Sequence, residues 1–450
     1  MIETIRNAFR TKEIRMKLLY VLGAVLIVRL GCQLPIPGIN REVIDNFFNS
    51  AEGTAAGTGL GFLDIMTGGS FSQMSIFALN ITPYITSSII IQLLTIAIPK
   101  LEEMQKEGED GRKKMNEYTR YLAIALAVIE SVALIIGFGN QNLLTDGISV
   151  TSVLVSTMSL TAGSAFLMWL GEQITVKGVG NGISIILLIN IVSRIPQDLV
   201  QLYEQFIRNK PVTTMVIAAI IILAVIIAMF VFVIVLQDAE RRIPVQYAKK
   251  LQGRKMVGGQ SSHIPLKVNT AGVIPIIFAS SMMSLPVIIG QFAQVAPQSG
   301  EGAGLINKIL KVCNQADWCN FSSWGEFKYT LGLLIYILLI IFFAYFYTSV
   351  TFNPLEIANN MKKQGGFVPG IRPGKPTTEY LSGVLNAVIL IGAVGMTIIC
   401  VLPIFFSGAF SADVSFSGTS LIIVVGVIIE TLKQIESQLL VRHYKGFLSD

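Results

Sequence analysis

Residues 68–94 read GGSFSQMSIFALNITPYITSSIIIQLL. The stretch is apolar enough and long enough to cross a bilayer. Yet it opens on Gly68-Gly69, carries Pro83 near its middle, and strings Ser70, Ser72, Ser75, Asn80, Thr82, Thr86, Ser87, Ser88 and Gln92 along its length. Lipid cannot solvate those groups, so a span built this way turns much of its surface to protein or water.

The rest of the chain has the same character. Of its 450 residues 52% are hydrophobic and only 14% charged, with a mean hydropathy of +0.64. Soluble domains carry about 25% charged residues, so the chain falls in the membrane class. The N-terminal MIETIRNAFRTKEIRMK is basic and amphipathic, and no small-residue cleavage site follows it. The first apolar run is therefore expected to be a retained span rather than a signal peptide.

A spanning helix needs roughly 20 mostly apolar residues. Ten stretches qualify, at about 17–36, 74–98, 118–138, 153–173, 183–202, 213–236, 272–292, 329–351, 381–405 and 417–435. Ten spans put both termini on one side. Of the 34 Lys+Arg, 26 fall on that side, six on the other, and Arg29 and Arg194 lie within or at the ends of spans. This bias predicts cytoplasmic termini and accounts for most of the net charge of +6 without a nucleic-acid partner. The fold class expected is an all-α polytopic membrane protein. Its ten transmembrane helices form two inverted five-helix halves, residues 1–202 and 203–450, because five is odd.

Spans two and seven hold equivalent places in the two halves, and their sequences echo one another. ITPYITSS at 81–88 and IPIIFASS at 274–281 each carry a proline a turn or so before a serine pair. The pattern suits ordinary bundle packing, but its occurrence in both halves favours a helix pair meeting across a polar, separable seam. Ahead of span two, GLGFLDIMTGG at 59–69 is too short to cross and ends at a glycine pair that turns without Cβ strain. A re-entrant half-helix of this kind needs a cavity on the outer side.

Catalytic signatures are scarce. The sequence has no HExxH and no Walker A pattern, and its two histidines, His263 and His443, fall in cytoplasmic segments. The four cysteines have no zinc or redox spacing. For Cys313 and Cys319, which flank an outer loop, a disulfide and two free thiols both remain open. No metal, cofactor or enzymatic activity is expected. The intramembrane ionisable groups Arg29, Glu130 and Glu430 are few for an ion-coupled carrier. Directional work must come from a partner, and two long basic cytoplasmic loops, 237–271 and 352–380, are the place for one. The first contains RRIPVQYAKKLQGRK (241–255). The second contains GGFVPGIRPGKP (365–376), where Gly and Pro fill seven of twelve positions and stiffen the chain around Arg372 and Lys375.

Several long stretches carry a resemblance. They are RNAF and EIR near the N-terminus, RLGCQLPIPGI (29–39), the 68–94 stretch, GVGNGISI (178–185), YAKKLQGRK (247–255), SSHIPLKVNTAGVIPIIFASS (261–281), FVPGIRPGKPT (367–377) and GTSLIIVVGVIIE (418–430). Together they cover nearly the whole chain in order, and the chain resembles the SecY family of protein-conducting channels in the bacterial cytoplasmic membrane.

The resemblance implies an hourglass channel with an apolar ring at its waist: Ile81, Ile85, Ile183, Leu187, Ile277 and Ile423. The i,i+4 spacing of Ile81 with Ile85, and of Ile183 with Leu187, puts each pair on one helix face. Leu187 departs from an expected isoleucine while keeping its size. A plug over about 60–71 is implied, with Leu60, Phe62, Leu63, Ile65, Met66, Gly68 and Gly69. So is a lateral gate between spans two and seven, with Ser87, Ser88, Gln92, Ser280, Ser281 and Leu285, which releases apolar segments into membrane lipid. The resemblance assigns Lys249, Lys250, Arg254, Lys255 and above all Arg372 to docking of the SecA motor ATPase or the ribosome. Further partners implied are SecE- and SecG-like small membrane subunits, signal peptides and preproteins, with no DNA.

Two features depart from the family pattern: a long outer loop over about 292–328, and Glu130, which is expected to line the water-filled side of span three. The principal rival is a secondary transporter with inverted repeats, which would put polar coupling groups where this chain has Ile and Leu. An intramembrane hydrolase, the third class, lacks a nucleophile–base pair.

Overall fold

The computed structural model describes residues 2–40, 64, 66–139, 144–145, 147, 149–206, 212–247, 250–252, 255–257, 261–292, 305–314, 318–319, 327–410 and 418–446. Helices stand at all ten expected span positions. They are α2 (Lys12–Gly31), α3 (Thr82–Ala97), α5 (Glu109–Gly139), α6 (Val150–Lys177), α7 (Gly182–Phe206), α8 (Val212–Asp238), α9 (Ile274–Phe292), α11 (Leu331–Thr351), α13 (Lys375–Phe410) and α14 (Gly418–Gly446). Between them lie the surface helices α1 (Ile2–Arg10), α4 (Pro99–Lys106), α10 (Leu305–Cys313) and α12 (Pro354–Lys363). Among the described residues six helices are long and apolar enough to cross a membrane, seven if the pair α3–α4, bent by 106°, is one span. The other helices are shorter or interrupted by charge, as Arg15, Lys17 and Arg29 interrupt α2.

The largest correction falls on span two. Helix was expected from residue 74, but the chain runs in turns until α3 begins at Thr82. The polar groups of this stretch explain why. Ser72 donates to the Gly69 carbonyl (3.1 Å), Ser75 to Ser70 (3.2 Å) and Asn80 Nδ2 to Met66 (3.0 Å), offering the backbone local partners in place of a helical ladder. Met74 and Asn80 take left-handed φ values of 43° and 50°, which a helix does not admit. The segment is tied instead to the chain after α2. Ile36 N–H donates to Met74 (3.1 Å) and Ile76 N–H to Leu34 (2.9 Å). Pro83 then falls in the first turn of α3, where its missing N–H costs nothing. Pro275 likewise opens α9. The two echoed prolines therefore start helices rather than kink them. At 16 residues α3 reaches about 24 Å.

Among the described residues the two largest apolar cores organise the bundle. One joins α8, α9, α11, α13 and α14 through residues such as Val233, Ile276, Ile340, Met396 and Ile422. The other joins α2, α6, α7, the 66–81 stretch and α14 through Val28, Phe77, Leu167, Ile186 and Ile423. Helix α14 serves both, with Leu421, Ile422 and Val425 in the first core and Ile423, Val424 and Val427 in the second.

The all-α expectation also needs amendment. Loop 237–271 is a β-hairpin, β1 (Glu240–Tyr247) against β4 (Ser261–Lys267), and β5 (Gly366–Phe367) of the second loop adds to the free edge of β1. Between them β2 (Lys250–Gln252) pairs with β3 (Lys255–Val257). The period-2 burial of β1, with Ile243 and Val245 inward, is the sheet signature behind its basic residues. The two long basic loops thus share one sheet. They also share a small core of Ile243, Val245, Leu266, Ala358, Met361, Val368 and Leu381.

Of the long outer loop the structure describes α10 and the turn Trp318-Cys319. Trp318 is fully buried, donates Nε1–H to the Val312 carbonyl (2.8 Å) and packs on Tyr336 with ring centroids 5.5 Å apart. Cys313 and Cys319 are both free, and burial pushes both thiols above their ordinary pKa. Through Trp318 the described part of this loop is anchored in the first core. Trp318→Ala is therefore expected to destabilise the protein by about 3–5 kcal/mol, read as a lower unfolding midpoint in detergent. An unchanged midpoint would contradict that role.

Candidate channel waist and docking surface

The six residues expected at a waist come from four chain segments and converge. Ile81, which precedes α3, and Ile423 of α14 are fully buried, and Leu187 of α7 is buried beside them. Ile85, Ile183 and Ile277 are half-buried and pack against the same cluster, which also holds Met66, Phe77, Ile174 and Val427. Such a patch offers ions and water nothing to bind, and its branched aliphatic side chains can shift around a guest.

Of the plug residues, Leu60, Phe62, Leu63 and Ile65 lie outside the described residues. Met66 is buried in the waist cluster. Gly68 and Gly69 both take positive φ, 68° and 84°, and a Cβ on Gly68 would stand 2.8 Å from the Asn190 backbone. Only glycine allows both that conformation and that approach. The sequence reading missed the polar groups that hold this turn. Asp64 is ion-paired with Arg194, and Arg29 Nη1 lies 3.5 Å from both the Gly68 carbonyl and Asn190 Oδ1. Charged groups within spans were the available signal, but no periodicity links residues so far apart.

The gate residues divide. Ser87 donates to the carbonyls of Tyr84 (2.9 Å) and of Thr119 on α5 (3.0 Å), and Ser280 shares a 3.1 Å hydrogen bond with Tyr336 on α11. Each of these serines therefore engages its own half. Ser88 is half-buried, Gln92 and Ser281 are exposed, and the Leu285 side chain lies outside the described residues. Glu130 is half-buried on α5 beside Ser131, which bonds Thr161 on α6 at 3.2 Å.

Of the residues expected to dock a partner, Lys249 and Arg254 lie outside the described residues. Lys250 and Lys255 begin the paired strands β2 and β3. Arg372 is exposed at the tip of the second loop, and its carbonyl accepts the Thr377 hydroxyl at 2.9 Å. Gly370 and Gly374, with φ of 83° and 108°, turn the chain sharply on either side. Exposed Arg241 and Arg242 lie on β1 of the same sheet.

Comparison with known proteins bears on this arrangement. A family model described as SecY matches residues 75–432. The chain is 43% identical over 455 residues to the protein translocase subunit SecY of Halalkalibacterium halodurans, covering 100% of both. It is 41% identical over 467 residues to that of Mycobacterium tuberculosis, again covering 100% of both. Among solved structures it is similar to a protein conducting channel, with a TM-score of 0.59 at 15% identity over 94% of this chain and 92% of that one. A structure concerned with the plug domain of the SecY protein gives a TM-score of 0.59 at 16% identity over 94% and 92%. An idle yeast Ssh1 complex bound to the ribosome gives 0.59 at 14% identity over 96% and 89%. At these identities the structural likeness speaks to the fold.

Proposed function

The chain belongs to the SecY family, and from that premise we propose that it forms the central channel for polypeptides crossing a bacterial cytoplasmic membrane. Ten spans in two inverted halves, 1–202 and 203–450, surround a waist of Ile81, Ile85, Ile183, Leu187, Ile277 and Ile423. Signal peptides and preproteins pass through this waist unfolded. The turn ending at Gly68-Gly69 belongs to a plug on its outer side. Sufficiently apolar segments leave sideways between α3 and α9 into lipid, where Leu, Ile, Phe and Val each gain about 0.3–0.6 kcal/mol. SecA or a translating ribosome supplies the drive at the shared sheet and Arg372, and SecE- and SecG-like subunits complete the complex. The Lys+Arg bias puts both termini in the cytoplasm.

The observation that carries this reading is the convergence of all six waist residues, distant in sequence, on one apolar cluster. A carrier would place polar coupling groups there. A polypeptide arrested in transit is expected to crosslink to photoreactive groups at Ile85, Ile277 and Ile423. It should spare one at Ile227, exposed on α8. Equal labelling at Ile227, or none at the waist, would overturn the proposal.

A further inference from the structure

We propose that Arg194 and Asp64 form an ionic latch, with Arg194 the positioning residue that holds Asp64 and the Met66–Gly69 turn against α7 and keeps the waist closed; this rests on the channel reading above.

The latch is built from both sides. The Asp64 side chain is 5% exposed and that of Arg194 18%, and the two are ion-paired. The Asp64 carboxylate also accepts the Ser72 N–H at 2.8 Å, while its backbone carbonyl accepts the Gly69 N–H (3.0 Å) and the Thr67 hydroxyl (3.1 Å). One residue thereby folds the turn and ties it to α7. Arg29, on α2, brings a second positive charge to the Gly68 carbonyl and to Asn190, one turn before Arg194. Gly68 lies so close to the Asn190 backbone that the turn seats directly on α7.

The place of the latch makes it more than a local tie. Met66 within the turn and Ile191 on α7 both belong to the waist cluster. Movement of the turn off α7 therefore takes a side chain out of the seal. Buried charges hold firmly when every group is satisfied and less firmly when some are not. Here Arg194 Nε and Asn80 Oδ1 are buried with no hydrogen-bond partner among the described residues. A pair that only stiffened the bundle would join two helices, whereas this one joins α7 to a turn.

The test uses the full channel complex in lipid vesicles, with potassium efflux as the readout and polypeptide translocation measured on the same preparation. Arg194→Met and Asp64→Asn each remove one charge, and the asparagine keeps an oxygen for the Ser72 N–H. Each is expected to raise efflux on the order of tenfold, equivalent to about 1.4 kcal/mol. The double variant should leak no more than the worse single, because both remove the same interaction. Arg194→Lys, which keeps the charge, should stay within about twofold of wild type. Unchanged efflux in an assembled Asp64→Asn channel would overturn the latch, even where Arg194→Met fails to assemble. Efflux effects that multiply in the double variant would overturn it as well. Wild-type vesicles that translocate no polypeptide would instead sink the channel reading on which the latch rests.

Discussion

Replacing Arg372 with glutamate is expected to reduce protein export by at least tenfold while leaving the assembled protein at its normal level in the membrane. The side chain is exposed, so the substitution removes no core packing. What holds the loop is backbone. The Arg372 carbonyl accepts the Thr377 hydroxyl, the Thr377 and Thr378 N–H groups donate to the Gly374 carbonyl at 3.0 and 3.1 Å, and the Ile371 N–H donates to Val368 at 3.0 Å. None of these contacts involves the guanidinium. Beneath them lies the small core shared with β1 and β4, which fixes the tip relative to the hairpin. A cation on so rigid a mount loses little conformational freedom when it meets an acidic protein surface or RNA phosphates.

Charge reversal replaces that attraction with repulsion, and close charge pairs across an interface couple by about 1.5–7 kcal/mol. Even the low end corresponds to about tenfold. Arg372→Ala should fall between, because it removes attraction without adding repulsion. Export by Arg372→Ala should recover when the driving partner is supplied in excess, and the glutamate variant should respond less. Unimpaired export in Arg372→Glu vesicles would sink the docking assignment while leaving the waist untouched.

The loop illustrates what the sequence makes legible. Gly and Pro density announced a rigid tip around Arg372, and the turns at Gly370 and Gly374 supply it. The strand pairing behind it went unread, because the alternation in RRIPVQY is interrupted by two consecutive exposed arginines. Helices at ten positions followed from hydropathy, a signal that averages over about 20 residues and tolerates local error. That same averaging hid the turns at 68–81, whose apolar side chains fill a core without being helical. Side-chain direction was legible only where a period fixes it. Ile81 and Ile85 share a face and meet the same cluster. Ser87 and Ser88, adjacent in sequence, differ by about 100° around the helix. Accordingly Ser87 is buried against Thr119 while Ser88 is half-buried. The Asp64–Arg194 pair was not readable at all, since a contact between a turn and a helix 130 residues later leaves no local pattern.

The largest change in the seal is expected from the double substitution Ile85→Asn with Ile277→Asn. Both positions are half-buried at the edge of the waist cluster, so polar side chains there reach the lumen without being forced into a packed interior. Fully buried Ile81 and Ile423 are poorer choices, because an amide at either would add an unsatisfied buried polar group and confuse leakage with misfolding. Fully burying an isoleucine side chain is worth about 1.5–3 kcal/mol, so losing two half-buried ones weakens the preference for a dry constriction by roughly that much in total. Two amides at the edge of the cluster also give water the hydrogen bonds that an aliphatic waist denies it. Potassium efflux from vesicles should rise by more than tenfold, and polypeptide translocation should persist, since the guest needs space and deformability. Ile85→Leu with Ile277→Leu keeps volume and polarity and should stay near wild type. The latch and the waist can then be told apart, because Arg194→Met is expected to raise efflux while all six waist side chains are still aliphatic, and the double asparagine while the Asp64–Arg194 ion pair is intact. A double asparagine channel as tight as wild type would mean that the seal lies elsewhere along the pore, with these six side chains serving only as packing.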